Sequence, residues 1–477
     1  MRSRIAPIIL ATIAMVCAVA AIWPELQSGS TARAGAVVVT PVLSPRRVPA
    51  LLSRTVADSH LSSDLDRLTS DSGLGPAADQ TCVSVRDASG RTLYAKNADT
   101  PLIPASNMKL LTATAALDRL GPDFRYSTAL KSLAAPGPDG TVAGDLWLVG
   151  SGDPLLGTAD FGAVAGYQRR PRVTTPLEAL ADKAVAGGLR RVNGRILGDE
   201  GRYDTQRYVP TWNPTYIRDS EVGPLSALTV NSGFVKWDPP IVAAPDPAAN
   251  AASVLTGLLR ARGVTIAGDG ASGRVTDGSV TVATLESPPL IDVVGVMLRE
   301  SDNMVAELLV KELGVRFGSG GTTTAGVEVV KGALGGLGPQ ATTFAAVDGS
   351  GLDRSDRLSC DLLQAALSKS GDQGAIGRDL PIAGHDGTLA RRFVDTPAAG
   401  RVRAKTGSLK GVVGLSGWVT ADDGRLVQFS LLSNELPRDA AGSGLEDGVV
   451  NELVGYPRAP DPNELAPHPA IPAPSPG

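Results

Sequence analysis

The sequence is poor in the two residue types that most often build metal centres. Its 477 residues include three His and three Cys. No pair of them has the spacing of zinc ligands, and the H-E-x-x-H motif of zinc peptidases is absent. We therefore expect no metal site and no cofactor. The Gly-x-Ser-x-Gly motif of another hydrolase class is absent too.

Aromatic residues and net charge are also scarce. Phe, Trp and Tyr make up 4% of the chain and the formal net charge is −4. No long basic run is present, so charge gives no support for a nucleic-acid partner. Hydrophobic residues nevertheless reach 43%, which excludes a wholly disordered chain. At about 150 residues per domain, the length indicates two to four domains.

Both ends of the chain differ from its centre. Arg2 and Arg4 precede an uncharged apolar run over 5–23. Two interpretations remain open: a secretory signal cleaved after the Ala32-Arg33-Ala34 segment, or an uncleaved membrane anchor. Either places the rest of the chain outside the cytoplasm, with 1–50 as signal or anchor plus linker. Residues 457–477 are proline-rich and predict an extended tail without packed structure.

Two β-hairpins bracket the folded part. Alternating apolar and polar residues predict one hairpin over 81–96 and another over 411–433. Helical patterns adjoin them at 55–68 and 445–454, so the hairpins are expected to share one sheet under these helices. Residues 140–284 carry many short strand patterns and predict a β-rich domain inserted into a discontinuous domain of 51–139 and 285–456.

Ser106 and Lys109 stand at the start of a predicted helix over 105–120. Three positions apart, they share one face of its first turn. A serine hydroxyl becomes a good nucleophile when a neighbouring group takes its proton, and a lysine of lowered pKa can do so. The helix N-terminus also favours oxyanion charge near the Ser106 amide. The alternative is a capping serine beside a solvated lysine.

Two further elements complete a pattern. Ser301 and Asn303 lie between helical patterns over 290–300 and 304–313, where helix capping is the alternative interpretation. Lys405, Thr406 and Gly407, followed by Ser408, precede the second hairpin, where an ordinary turn is the alternative. The Gly would allow close approach of a substrate backbone.

Ser-x-x-Lys, Ser-x-Asn and Lys-Thr-Gly in this order resemble the signature of penicillin-binding proteins and serine β-lactamases. The surrounding sequence is similar to one branch, the low-molecular-weight class C penicillin-binding proteins, or D-alanyl-D-alanine carboxypeptidase/endopeptidase family. The segments that carry this likeness are 101–113, 144–154, 298–304, 348–354 and 386–389. The resemblance implies an α/β fold: a transpeptidase-like domain, with an antiparallel sheet flanked by helices, and an inserted β-rich domain. A third domain found in some members would fall at 235–252, which is too short to hold one.

The resemblance also implies the chemistry. The expected substrates are peptidoglycan stem peptides, with β-lactam antibiotics as covalent inhibitors. Ser106 would be the nucleophile, Lys109 its base, and the Ser106 and Ser408 amides the oxyanion hole. Ser301 would relay a proton and Asn303 would orient the substrate amide and Lys109. Lys405, Thr406 and Ser408 would bind the terminal carboxylate.

Three points stay open in the sequence. Asp153 is either a ligand for the amine of a substrate side chain or a turn residue. Cys82 and Cys360 are either a disulfide, which an exported setting permits, or two free thiols. The rival functions are a serine β-lactamase or esterase on the same fold, and a non-catalytic cell-wall-binding scaffold.

Overall fold

The structure is a computed structural model that describes residues 48–163 and 172–458. The apolar run over 5–23 and residues 459–477 of the proline-rich tail lie outside these residues. Within them, no helix is both long enough and apolar enough to cross a membrane. From Arg54 onward the chain groups into a single compact unit.

Seventeen strands and eleven α-helices are described in these two ranges. The strands are β1 Thr81–Asp87, β2 Thr92–Lys96, β3 Ser127–Ser132, β4 Thr141–Val142, β5 Leu146–Val149, β6 Leu156–Gly157, β7 Thr175–Pro176, β8 Arg191–Val192, β9 Ile196–Asp199, β10 Phe234–Lys236, β11 Val242–Ala243, β12 Thr265–Ile266, β13 Ala271–Ser272, β14 Val280–Glu286, β15 Val402–Leu409, β16 Val412–Thr420 and β17 Leu426–Ser433. The helices are α1 Val48–Thr69, α2 Met108–Leu120, α3 Ala159–Ala163, α4 Leu177–Ala186, α5 Pro214–Arg218, α6 Pro247–Ala261, α7 Leu290–Glu300, α8 Asn303–Phe317, α9 Thr323–Leu334, α10 Cys360–Ser370 and α11 Asp439–Val454.

The larger sheet joins the two ends of the folded chain. Its order is β15-β16-β17-β1-β2, and every neighbouring pair is antiparallel. Both predicted hairpins are present, and β1 pairs with β17 from Thr81 opposite Ser433 to Asp87 opposite Val427. The prediction that the two hairpins share one sheet is therefore confirmed.

Alternating side chains of this sheet supply two separate cores. Val83, Val85 and Phe429 pack with apolar side chains of α1 and α11 on one face. Trp418 and Leu432 belong to the other core, which contains α2 and α7 to α10. The period-2 alternation of a strand thus serves both faces of a sheet covered by helices, as expected for the predicted α/β fold.

The middle of the chain forms a second sheet with order β13-β9-β5-β3-β14. It mixes parallel and antiparallel pairs, and apolar side chains of α4 and α6 pack on it. The segment is therefore less purely β than its sequence predicted. β3 precedes the predicted boundary at residue 140, and the division into two nested domains stays a prediction.

The segment 235–252 forms a short hairpin and the start of a helix. Strands β10 and β11 pair with each other, and Asp246 caps α6 by accepting the Ala249 amide at 2.9 Å. Pro247 at the first helical position strengthens this start. Helix α6 was not predicted from the sequence, although its Asp-Pro cap is a recognised start signal.

Cys82 of β1 and Cys360 at the start of α10 form a disulfide. Both residues are fully buried. The bridge ties the larger sheet to the helical layer that carries α2, and it spans 278 positions of sequence.

Candidate active site

Ser106 lies in a tight turn that leads directly into α2. The turn is a 3₁₀ segment, Ala105–Asn107, and Ala105 has a positive φ of 48°. Gly351 packs against this turn so closely that a Cβ at Gly351 would stand 1.9 Å from the Ala105 carbonyl oxygen. The hydroxyl of Ser106 is thereby fixed at the N-terminal end of a helix, where backbone N–H groups favour developing negative charge.

Lys109 lies one turn further along and is fully buried. Its Nζ is 2.8 Å from Ser106 Oγ, 2.7 Å from Asn303 Oδ1 and 2.7 Å from the Ser350 carbonyl oxygen. All three contacts are hydrogen bonds in which the ammonium donates. The amine is therefore held beside the serine hydroxyl by acceptors from two other parts of the chain.

Burial lowers the pKa of Lys109 to about 8, although carboxylates led by Asp348 and Glu307 favour its charged form. Burial, followed by the charge of Lys109, lowers the pKa of Lys405 well below its usual value. Desolvation of the ammonium is thus the main cause of the lowered pKa of Lys109. Desolvation is also the main cause of the lowered pKa of Lys405, and repulsion from Lys109 is the smaller cause.

Ser301 and Asn303 sit where α7 gives way to α8. Ser301 adopts a left-handed conformation with φ of 57°, and Asp302 caps α8 by accepting the Val305 amide at 2.9 Å. Asp302 is therefore the residue that caps α8, and the side chains of Ser301 and Asn303 are available to the site. Asn303 accepts from Lys109, and its Nδ2 donates to the Glu221 carbonyl at 2.7 Å.

Strand β15 supplies the opposite side of the site. Lys405 is buried, and its Nζ donates to Ser301 Oγ at 2.8 Å and to the Thr406 carbonyl at 2.7 Å. The Thr406 hydroxyl donates to Thr388 Oγ1 at 2.7 Å. These contacts join the three sequence elements into one hydrogen-bonded cluster.

β15 is an edge strand whose second half has no strand beside it in the described residues. Its first half is covered, because Ala404 donates its N–H to the Pro381 carbonyl at 3.1 Å. Backbone groups alternate in direction along a strand, so those of Thr406 and Ser408 face the same outer side as Ala404. An extended peptide can therefore pair with this edge.

Gly407 brings β15 against the Ser106 turn. A Cβ at Gly407 would stand 2.8 Å from Asn107 Nδ2, 2.9 Å from the Pro104 carbonyl oxygen and 3.2 Å from the Ser106 nitrogen. A residue with a Cβ would push this strand away from the Ser106 turn, so the approach requires glycine.

A cavity of about 290 Å³ adjoins Ser301 and Asn303. Its wall combines acidic and aromatic side chains with one guanidinium, Arg172. Arg172 pairs with Glu300 at 3.0 Å and also with Asp302. Burial raises the pKa of Asp302, but the Arg172 charge and the Val305 amide outweigh it, so the pKa is lowered overall.

The sequence profile of the D-Ala-D-Ala carboxypeptidase 3 (S13) family matches residues 61–238 and 238–452. The chain belongs to this family. It is a serine-type D-Ala-D-Ala carboxypeptidase, a hydrolase, as its three motifs imply. The matched residues contain all three parts of the cluster around Lys109.

Two relatives of the S13 peptidase match most of its length. The "D-alanyl-D-alanine carboxypeptidase" of Actinomadura sp. (strain R39) is 31% identical over 511 aligned residues, covering 90% of this chain and 91% of the relative. The "Carboxypeptidase DacB" of Mycolicibacterium smegmatis is 32% identical, covering 72% and 74%.

A solved structure agrees with the fold. Penicillin binding protein 4 (dacB) from Haemophilus influenzae superposes with a TM-score of 0.67 at 22% identity, covering 79% of this chain and 96% of that chain. The expected penicillin-binding-protein fold of the S13 peptidase is therefore confirmed.

Asp153 is a candidate that the structure keeps apart from the cluster. Its carboxyl group is 3% exposed and accepts the Leu155 amide at 2.9 Å. Burial raises its pKa to about 6. It does not line the cavity beside Ser301. In this S13 peptidase the Leu155 contact fits a residue that shapes the turn after β5, and the role of substrate ligand stays a prediction.

The structure adds a supporting loop, 348–351, beneath Lys109. Asp348 accepts the Gly351 amide at 2.7 Å, and Glu307 of α8 accepts the Ser350 amide at 2.8 Å. These contacts aim the Ser350 carbonyl at Lys109. A main-chain acceptor leaves no signal of its own in sequence, although the 348–354 segment was part of the family likeness.

Proposed function

We propose that Ser106 is the nucleophile that cleaves the terminal D-Ala–D-Ala bond of peptidoglycan stem peptides. The observation that carries this assignment is the position of Lys109 Nζ, 2.8 Å from Ser106 Oγ in a fully buried setting. When its amine is neutral, Lys109 can accept the hydroxyl proton of Ser106 along this same contact, in which the charged ammonium is the donor. Oγ then attacks the carbonyl carbon of the penultimate D-Ala.

Charge on the carbonyl oxygen would be stabilised by the Ser106 and Ser408 amides. The close approach of Gly407 to the Ser106 nitrogen and the outward direction of the Ser408 backbone support this role. Fixed backbone donors are effective because they need no reorganisation as charge develops.

The C-terminal carboxylate would bind at Lys405, with the hydroxyls of Thr406 and Ser408. An arriving carboxylate favours the charged form of the buried Lys405 ammonium. That charge in turn favours the neutral form of Lys109, so carboxylate binding would prepare the base. Substrates that end in a carboxylate would therefore react better than their amides.

Release of D-Ala requires a proton on the departing nitrogen. Ser301 is suited to pass it, since its Oγ already accepts from Lys405 at 2.8 Å. Asn303 would hold Lys109 and the substrate amide. The C–N bond breaks, the amine leaves with the proton, and water later hydrolyses the Ser106 ester.

We further propose that the enzyme acts outside the cytoplasm, secreted or membrane-anchored, and that β-lactams acylate Ser106. The apolar run over 5–23 and the Cys82–Cys360 disulfide support export. The Haemophilus influenzae protein of the same fold has been solved "complexed with novel beta-lactam", which supports the second point.

Labelling with a fluorescent penicillin tests the nucleophile. Wild-type protein should be labelled covalently and Ser106→Ala should not. Ser443→Ala, at an exposed serine of α11, is the matched control and should still be labelled. Equal labelling of wild type and Ser106→Ala would overturn the assignment.

Two further measurements separate the rivals. Release of D-Ala from a pentapeptide distinguishes the enzyme from a non-catalytic scaffold. A long-lived penicillin adduct favours the carboxypeptidase, whereas rapid turnover of penicillin would favour the β-lactamase. Carboxypeptidase and endopeptidase action are compared with the free pentapeptide and a cross-linked dimer.

A further inference from the structure

Arg172 joins the two carboxylates that flank Ser301. Its Nη1 lies 3.0 Å from Glu300 Oε2, and its Nη2 hydrogen-bonds Asp302. The Arg172 side chain is 16% exposed, and those of Glu300 and Asp302 are 11% and 10% exposed. The ion pairs are thus well shielded from water. The attraction within such shielded pairs is far stronger than at a protein surface.

The turn between Glu300 and Asp302 needs to be held. Ser301 has a φ of 57°, a conformation that a residue with a Cβ adopts only at a cost. Burial raises the pKa of Glu300, the Arg172 charge opposes this rise, and repulsion from Asp302 adds to it. A single guanidinium between the two carboxylates offsets the repulsion and draws the two ends of the turn together.

Arg172 is itself fixed from the middle segment of the chain. Its backbone N–H donates to the Gly162 carbonyl at 3.1 Å. Its guanidinium lies 5.5 Å from the centre of the Phe161 ring, and that ring packs edge-on against Trp237 with centroids 5.4 Å apart. These aromatic rings form part of the cavity wall and hold the guanidinium in place.

We propose that Arg172 is a positioning residue for the reaction, which sets Ser301 and Asn303 against Lys405 and Lys109 through Glu300 and Asp302. The proposal rests on the function proposed above. It means that the middle segment completes the active site, although none of its side chains is assigned a step in the chemistry.

The test compares three variants with the wild type in acylation by benzylpenicillin, measured in the full chain. Arg172→Gln removes the charge, and Arg172→Lys keeps the charge but cannot bind two carboxylates as a planar fork. Arg392→Gln is the matched control. Arg392 also bridges two carboxylates, Glu446 and Asp447, and stacks on an aromatic ring, Phe393, but it contacts neither Ser301 nor Asn303.

The acylation rate constant and the fraction of protein that reacts are measured separately. Arg172→Gln should lower the rate constant by about 10²-fold, the loss that a misplacement of about 1 Å can cause. The acylation rate constant of Arg172→Lys should lie between those of Arg172→Gln and wild type. Arg392→Gln should react at the wild-type rate, even if its melting temperature drops.

A purely structural role would give a different result. The reactive fraction of Arg172→Gln would then fall while the surviving molecules reacted at the wild-type rate, and this outcome would overturn the proposal. If wild type itself is not acylated, the proposed function fails and the positioning role fails with it. Normal acylation of wild type and Arg172→Gln alike would reject the positioning role alone.

Discussion

The buried Lys109 makes a sharp prediction about pH. Its pKa of about 8 is lower than the usual value of 10.5. At one pKa unit per 1.36 kcal/mol, the shift corresponds to about 3 kcal/mol against the buried charge. About a tenth of the molecules then hold a neutral amine at pH 7, roughly 300-fold more than an unshifted lysine would provide.

The sign of the effect follows from the role of the base. Since the neutral amine is the reactive form, acylation should rise as pH increases through the folded-state pKa and level off above it. With Lys405 held in its charged form by the bound carboxylate, the first-order acylation rate constant at saturating benzylpenicillin should increase about tenfold between pH 7 and pH 9. Stopped-flow or quench measurements over roughly pH 6 to pH 9.5 give the midpoint directly.

Glu307 offers an isosteric check on this reasoning. Glu307→Gln keeps an acceptor for the Gly349 and Ser350 amides. Burial raises the pKa of Glu307 to about 8, so the variant removes a negative charge that favours the Lys109 ammonium mainly in the upper part of this pH range. The midpoint should therefore move to lower pH. A rate that is flat from pH 7 to pH 9, or a midpoint that stays put in Glu307→Gln, would refute the account, provided circular dichroism shows both proteins folded.

Three further predictions concern single residues. Gly407→Ala should lower the acylation rate at least tenfold, because the new Cβ would lie 2.8–3.2 Å from atoms of the Ser106 turn. Gly444→Ala is the control and should react normally, since open space surrounds that position. Equal rates for the two variants would contradict the close approach of Gly407. Thr406→Val should raise the KM for D-Ala-D-Ala peptides by roughly 5- to 100-fold through loss of one hydroxyl contact, and an unchanged KM would remove Thr406 from carboxylate binding. Cys360→Ser should reduce the free energy of unfolding, measured in urea titrations, by about 2–5 kcal/mol. The variant should still be labelled by penicillin at low temperature. Alkylation of Cys82 or Cys360 in unreduced wild-type protein would show that the disulfide is absent.

The catalytic cluster was predictable because its chemistry depends on side-chain types, which the sequence shows directly. Lys109 bonds to Ser106 and Asn303, and Lys405 bonds to Ser301, so the three motifs meet at one site as predicted. The hairpins and most flanking helices were predictable too, because their periodicity and turn residues are local signals.

Other parts depended on contacts that no local pattern shows. Arg172 lies far before Ser301 in sequence, and only the fold places it between Glu300 and Asp302. The Ser350 carbonyl is a backbone acceptor, so its residue type carries no hint of its partner. For Asp153 the structure shows a buried side chain that accepts the Leu155 amide, and its role as a substrate ligand stays a prediction.

The pairing of β1 with β17 constrains when the protein can fold. Thr81 and Ser433 hydrogen-bond across 352 positions of sequence. At a synthesis rate of about 5–20 residues per second, β1 waits roughly 20–70 s for its partner strand. Until β17 is available, the edge of β1 that it covers in the finished sheet has no partner strand. The sheet that carries Lys405 can therefore be completed only once the last quarter of the chain has been made.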